Sequence, residues 1–283
     1  MGPPMWTKDN RARYKRDHLR YPSDLTDEEW SCVEPFIPPA RRGGRRRTTN
    51  VREALNAIPY VLSTGCQWRY LPKDFPPRST VYRYFFEWGL DGTLDRIHDG
   101  LYEQCREQAG REASPTAAII DSQSVKSAEK GGASIDPHGF DAGKLIKGKK
   151  RHVLVDTQGR LLQATVHSAS VQDRDGGVLL LSTLFGRFPY LEKLYADSAY
   201  QGPIFGKALA NILSQVKIEI VKRSDQAKGF VRLPKRWIVE RSIAWLNRCR
   251  RLAKDWENLN LTGLIFLRFA SIRLMLRRLC NPS

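Results

Sequence analysis

The chain has 283 residues with 41% hydrophobic and 10% aromatic content, and its 47 Lys or Arg against 30 Asp or Glu give a net charge of +17. That length and composition mark a folded soluble protein of one or two domains. The basic excess points to a polyanionic partner, nucleic acid first, with an anionic membrane surface or a ribosome also compatible. Cys32, Cys66, Cys105, Cys249 and Cys280 are odd in number and scattered, which argues against a disulfide framework or zinc knuckle and predicts a reducing cytoplasm.

Residues 1–23 are polar and basic, lack the apolar stretch of a signal peptide, and read as a flexible arm. In "LTDEEW", Thr26 as N-cap with Glu29 three residues later forms a capping box that opens a helix. "PFIPPARRGGRRRTTN" ends it, in a loop holding Arg41, Arg42, Arg45, Arg46 and Arg47. A second helix begins near Thr49 and runs through "VREALNAIPYVLSTG"; a Pro-rich turn, "CQWRYLPKDFPP", leads to a third from Ser79, "STVYRYFFEWGLDGTLDRIHDGLYEQCREQ". Residues 24–112 thus read as a small all-helical domain.

Beyond it, "AAIID" (117–121), "RHVLVD" (151–156), "LLQATVHSA" (161–169), "KLYAD" (193–197) and "IEIVKR" (218–223) are short β-rich runs. "VDTQGRLLQATV" reads as a hairpin turning at Gln158-Gly159, with Asp156 serving that turn. Helical patterns separate the later strands, so 113–260 is a mixed α/β domain of five strands with flanking helices. The final 261–283 contain "LTGLIFLRFASIRLMLRRL", whose four arginines exclude a simple membrane span. This is an amphipathic helix for the core or for a subunit contact.

Two strands end alike, "AAIIDS" at Asp121 and "KLYADS" at Asp197. An Asp at the carboxyl end of a buried strand either caps the next turn or opens into the crevice where α/β sheets bind ligands. On adjacent strands the two carboxylates would repel unless a cation neutralised them, and Mg²⁺ or Mn²⁺ suits oxygen ligands. In "KRWIVERSIAWLNRCRRLAK" (235–254) the only acid is Glu240. Read as one helix, the segment buries Val239, Ser242, Trp245, Leu246, Cys249, Leu252, Ala253 and Trp256. It leaves Glu240 opposite, with Arg236, Asn247, Arg251 and Lys254. Glu240 either pairs with Arg236 or Arg241, or faces the two aspartates as a third ligand.

"IIDSQSVK", "GFDAGKLIKGKKRHVLVDTQGRLL", "YADSAYQG" and "VERSIAWLNRCRRLAKDWE", in that order, resemble the DDE transposases of IS5-family insertion sequences. "LTDEEW" and "GCQWRYLPKDFPP" resemble that family's N-terminal region, so the likeness spans nearly the whole chain. The resemblance implies an RNase H-like catalytic domain in which Asp121, Asp197 and Glu240 are catalytic and hold two Mg²⁺ or Mn²⁺ ions. It also implies binding of double-stranded DNA, both terminal inverted repeats and target, by a homodimer or larger assembly in the bacterial cytoplasm, associated with the nucleoid. Related enzymes set a Tyr, Arg and Lys around the Glu; here these places hold Leu233, Arg236, and Asn247 with Arg248 beside it.

For DNA contact the candidates are Arg236, Asn247, Arg248 and Arg251, then Lys144, Lys147, Lys149, Lys150 and Arg151 beyond strand one. Arg45, Arg46 and Arg47 in the loop complete the set with Ser79, Thr80, Tyr82 and Arg83 on a helix fit for a major groove. Tyr84, Phe85, Phe86 and Trp88 of that helix read as core. Two other readings stay open: a catalytically inactive DNA-binding protein acting as repressor or architectural factor, and a host nuclease of the same fold.

Overall fold

The computed structural model describes residues 14–40, 43, 46–129, 134–221 and 235–281. Arg41, Arg42, Arg45 and Leu233 lie outside the described residues. Helix α1 (Asp27–Val33) opens with the expected capping box: Glu29 N donates to Thr26 Oγ1 at 3.2 Å and Thr26 N to Glu29 Oε2 at 3.1 Å. Helix α2 (Val51–Thr64) starts at Asn50, whose side chain accepts from Glu53 N, and stops at Gly65 with φ 72°.

The third expected helix is two, α3 (Arg78–Leu90) and α4 (Thr93–Gln108). Asp91 Oδ1 accepts from Thr93 N, and Gly92 takes φ 77°, a left-handed conformation that breaks the helical run. The described part of the expected arm is docked rather than free. Arg16 donates to both oxygens of the buried Glu29 at 2.7 Å, and Tyr21 stacks on Phe75 at 5.2 Å.

The sheet has six strands, one more than expected: β1 (Ala117–Lys126), β2 (Gly139–Asp141), β3 (Ile146–Asp156), β4 (Leu161–Ser168), β5 (Lys193–Ala196) and β6 (Lys217–Ile220). β3 runs antiparallel to β1, β2 and β4, while β5 lies parallel between β1 and β6. This is the RNase H-like order with the short β2 added. The β3–β4 hairpin turns where expected, with Asp156 Oδ1 accepting from Gln158 N and Arg160 N at 2.9 Å each. At Gly148 a Cβ would fall 2.0 Å from Val125 O, so only glycine lets β3 approach β1 there.

Helices cover both faces. α5 (Asp173–Ser182), packed with α6 (Pro203–Ile212), lies on β3 and β4; α7 (Arg236–Leu246) lies on β1 and β3. The last helix, α8 (Asn260–Cys280), packs on α4 and β4 as well as α1 to α3, so it joins the core. Its Phe266 and Phe269 sit against Phe85 of α3. One apolar core therefore runs through the helical region and the sheet. The buried Arg106–Asp156 ion pair, 2.9 Å, reinforces that junction. Among the described residues no helix is long and apolar enough to cross a membrane.

Candidate active site

Successive strand residues face opposite sides, and β1 uses both. Ser122 and Ser124 point to the α5 face, where Ser122 Oγ meets Asp173 Oδ1 at 2.8 Å and Ser124 hydrogen-bonds Asp141. Asp121 points to the other face, that of α7, and lies mid-strand instead of at the expected strand end, because β1 continues to Lys126 along β3. The parallel register places Ile119 opposite Tyr195, and two further residues along each strand are Asp121 and Asp197. β5 ends at Ala196, and Asp197 caps the short turn Ser198–Tyr200 by accepting from Ala199 N at 2.9 Å. Capping and opening into the crevice are here the same position.

The electrostatics tie the acids together. Burial pushes the Asp121 carboxyl up to about 6, and the nearby Asp197 charge adds to the rise, while the Ser122 N–H, Arg236 and Lys144 oppose it. Arg236 Nη2 lies 3.5 Å from Asp197 Oδ2 and 3.7 Å from Glu240 Oε1. One guanidinium thus links the strand-end acid to the helix-borne one. Arg241 turns away, donating to Gln158 O and stacking between Trp237 and Trp245 at 4.5 Å from each ring centroid.

α7 is shorter than the single helix expected over 235–254. It stops at Leu246, Asn247 forms the C-cap, and a separate turn covers Arg250–Leu252. Its buried face is Ile238, Val239, Ser242 and Leu246, whereas Trp245 and Trp256 are exposed. Glu240 remains on the outer face with its side chain 52% exposed. Asp121 and Asp197 supply the hard oxygen donors that a divalent ion takes, and the repulsion between them favours one. Glu240 stays at Arg236. Among the described residues no three acid, His or Cys side chains converge on one metal position.

The DNA-contact candidates divide by burial. Lys144 is exposed beside the site, its Nζ 3.0 Å from Ser122 O, and Lys147, Arg46, Arg47, Arg248, Ser79, Tyr82 and Arg83 are also exposed. Arg236, Asn247 and Thr80 are partly exposed, and Tyr84, Phe85 and Trp88 are core as expected. Four candidates are corrected by the structure. Lys149, 1% exposed, donates to Asp136 O, Pro137 O and Asn260 Oδ1. Lys150 is buried between Asp173 at 2.8 Å and Asp141 at 3.2 Å. Buried Arg151 donates to Leu252 O. Arg251, also buried, pairs with Glu257 at 2.6 Å and donates to Cys66 O. Each has its cationic head committed inside the protein: the first three because β3 is covered on both faces, and Arg251 because its turn packs against Cys66 and Glu257.

Sequence reasoning missed the polar layer behind Asp121. Burial alone would raise the Asp173 carboxyl, but the bonds from Lys150 and Ser122 outweigh it and hold it below its usual range. Tyr200, fully buried, has its phenol raised by burial and by the charges of Asp121, Asp173 and Asp197. The signals were "QDRD", an acidic helix start, and the Tyr of "YADSAY".

Residues 25–98 match a family model described as "Putative transposase of IS4/5 family", and residues 112–274 match one described as "Transposase DDE domain". An uncharacterized 16.2 kDa protein of the insertion element IS402 from Burkholderia cepacia is 33% identical over 114 residues, covering 38% of this chain and 76% of that protein. The uncharacterized protein y4sN of Sinorhizobium fredii is 32% identical over 73 residues, 26% of this chain and 58% of its own length.

Proposed function

The chain belongs to the transposases that carry a DDE domain, and on that premise we propose that it cuts the ends of its own insertion sequence and joins them to target DNA. Asp121, Asp197 and Glu240 are the catalytic acids. The observation that carries the reading is that Asp121 of β1 and Asp197 at the end of β5 come from adjacent parallel strands, with Asp197 linked through Arg236 to Glu240. This lies within the segment that matches the DDE domain.

Asp121 and Asp197 would hold two Mg²⁺ or Mn²⁺ ions, with Glu240 completing the set once Arg236 releases it. Bound there, such ions supply Lewis-acid stabilisation of the attacking and leaving oxygens in phosphoryl transfer. Arg236 turns from the acids to a DNA phosphate, and Lys144 beside Asp121 holds a second. Arg248 and the exposed face of α3 extend the track to the terminal inverted repeats. Two element ends must be held at once, so the working form is a dimer or larger, acting in the cytoplasm.

The test uses an oligonucleotide carrying an element end. Asp121→Asn, Asp197→Asn and Glu240→Gln should each abolish cleavage and strand transfer while end binding is kept. Mn²⁺ should raise the melting temperature of the native chain but not of the two aspartate variants. Full activity in Asp121→Asn or Asp197→Asn would sink the assignment.

A further inference from the structure

A cavity of about 20 Å³ lies where residues 16–33 meet α8, bordered by Arg16, Ser23, Glu29, Arg273 and Arg277 on an apolar floor that includes Phe269. That is room for one monatomic ion or one water. The charges around it do not balance. Glu29, the only acid lining the cavity among the described residues, spends both oxygens on Arg16 and one also on Thr26 N. Arg273 and Arg277 have no carboxylate within ion-pair distance among the described residues. Arg273 reaches only the Cys249 sulfur at 4.0 Å, and Arg277 only Pro22 O at 3.4 Å. Arg16 Nε, Arg273 Nε and the Ser23 hydroxyl are buried without partners among the described residues. Burial, then the charges of Arg273 and Arg16, pull the Arg277 guanidinium down to about 10.

Three guanidiniums thus share one carboxylate. A water could accept from two of the donors but would have its own hydrogens facing cations, and it would neutralise nothing. A small anion satisfies several donors and offsets the charge together. We propose that this cavity binds a single small inorganic anion, chloride in size and charge, which fastens the segment around Arg16 and Ser23 to the C-terminal helix. Nothing in this depends on the reaction proposed above, because the cavity lies in the helical region.

The probe is chloride, compared at equal ionic strength with gluconate, which is too large to enter. For the full chain, each tenfold rise in chloride above its dissociation constant should raise the melting temperature by about 3–6 °C relative to gluconate. Arg273→Met removes one unpaired charge, so it should erase that slope while melting no lower than the native chain in gluconate. A bromide-soaked crystal should show an anomalous peak touching Arg273 and Arg277. Equal melting in both anions, a slope that survives Arg273→Met, or a crystal without the peak would each overturn the proposal.

Discussion

Asp156 offers the sharpest test of the claim that the helical region and the sheet form one unit. It is 0% exposed at the end of β3, and its two oxygens divide their work. Oδ1 holds the hairpin through Gln158 N and Arg160 N, while Oδ2 reaches into the helical region to Arg106 Nη1 at 2.9 Å and Tyr102 OH at 3.3 Å. Asp156→Asn keeps the shape and the Oδ1 contacts, but sets an amide donor against Arg106 and strips that buried guanidinium of its counter-charge. Breaking a buried pair from one side costs about 3–5 kcal/mol. For a chain of this length that is roughly a 10 °C fall in melting temperature. Urea titration followed by tryptophan fluorescence and by helix signal should give one shared transition at a lower midpoint. Adding Arg106→Met should recover part of the loss, since the buried Arg106 charge is then gone while Arg160, 4.0 Å from Oδ2, still loses its counter-charge. A loss below about 1 kcal/mol, no recovery in the double variant, or separate melting of the helices would refute the reasoning.

Asp121 is held at about 6 against an ordinary 3.8, so folding favours its protonated form. The resulting destabilisation is absent below the unfolded value, grows as pH rises between the two, and is complete above about 6. Asp121→Asn should therefore stabilise the protein by up to about 3 kcal/mol at pH 8, with the gain shrinking toward pH 4; equal gains in urea midpoint at both would contradict this. Arg236→Gln removes a charge that lowers Asp121, so carboxyl NMR should find Asp121 titrating above its native midpoint. Gly148→Ala sets a methyl against Val125 O and should cost about 3 kcal/mol by parting β3 from β1. Thr26→Ala loses one half of the capping box and should cost about 1 kcal/mol, read in the same denaturation assay.

Much of this fold was legible in the order of residues. Short β-rich apolar runs located five of the strands, although β1 and β3 each extend five residues further than those runs, and Thr26 with Glu29 marked the first helix start. The aspartates of "AAIIDS" and "YADSAY" stood out because each directly follows a buried run; Asp197 does end its strand, whereas β1 continues past Asp121 to Lys126. These are properties of single segments: side-chain alternation, capping and chain reversal all act within a few residues.

Most of the rest required contacts between distant segments. Lys149, Lys150 and Arg151 read as exposed DNA contacts because a buried cation needs a partner, and theirs, Asn260, Asp173 and Leu252, come from distant segments. Arg251 finds Glu257 six residues on only because the helix ends at Leu246. The short β2 depends on pairing with β3 from a distant segment, whereas the break at Gly92 has a local signal, Asp91 and a left-handed glycine, inside a run that reads as one helix. The sequence by itself determined where most strands and helices lie and which two acids follow buried apolar runs, because those signals are local. Only the tertiary structure decided which charges face solvent, because the cost of burying a charge depends on a neighbour that the fold, and not the chain, brings to it.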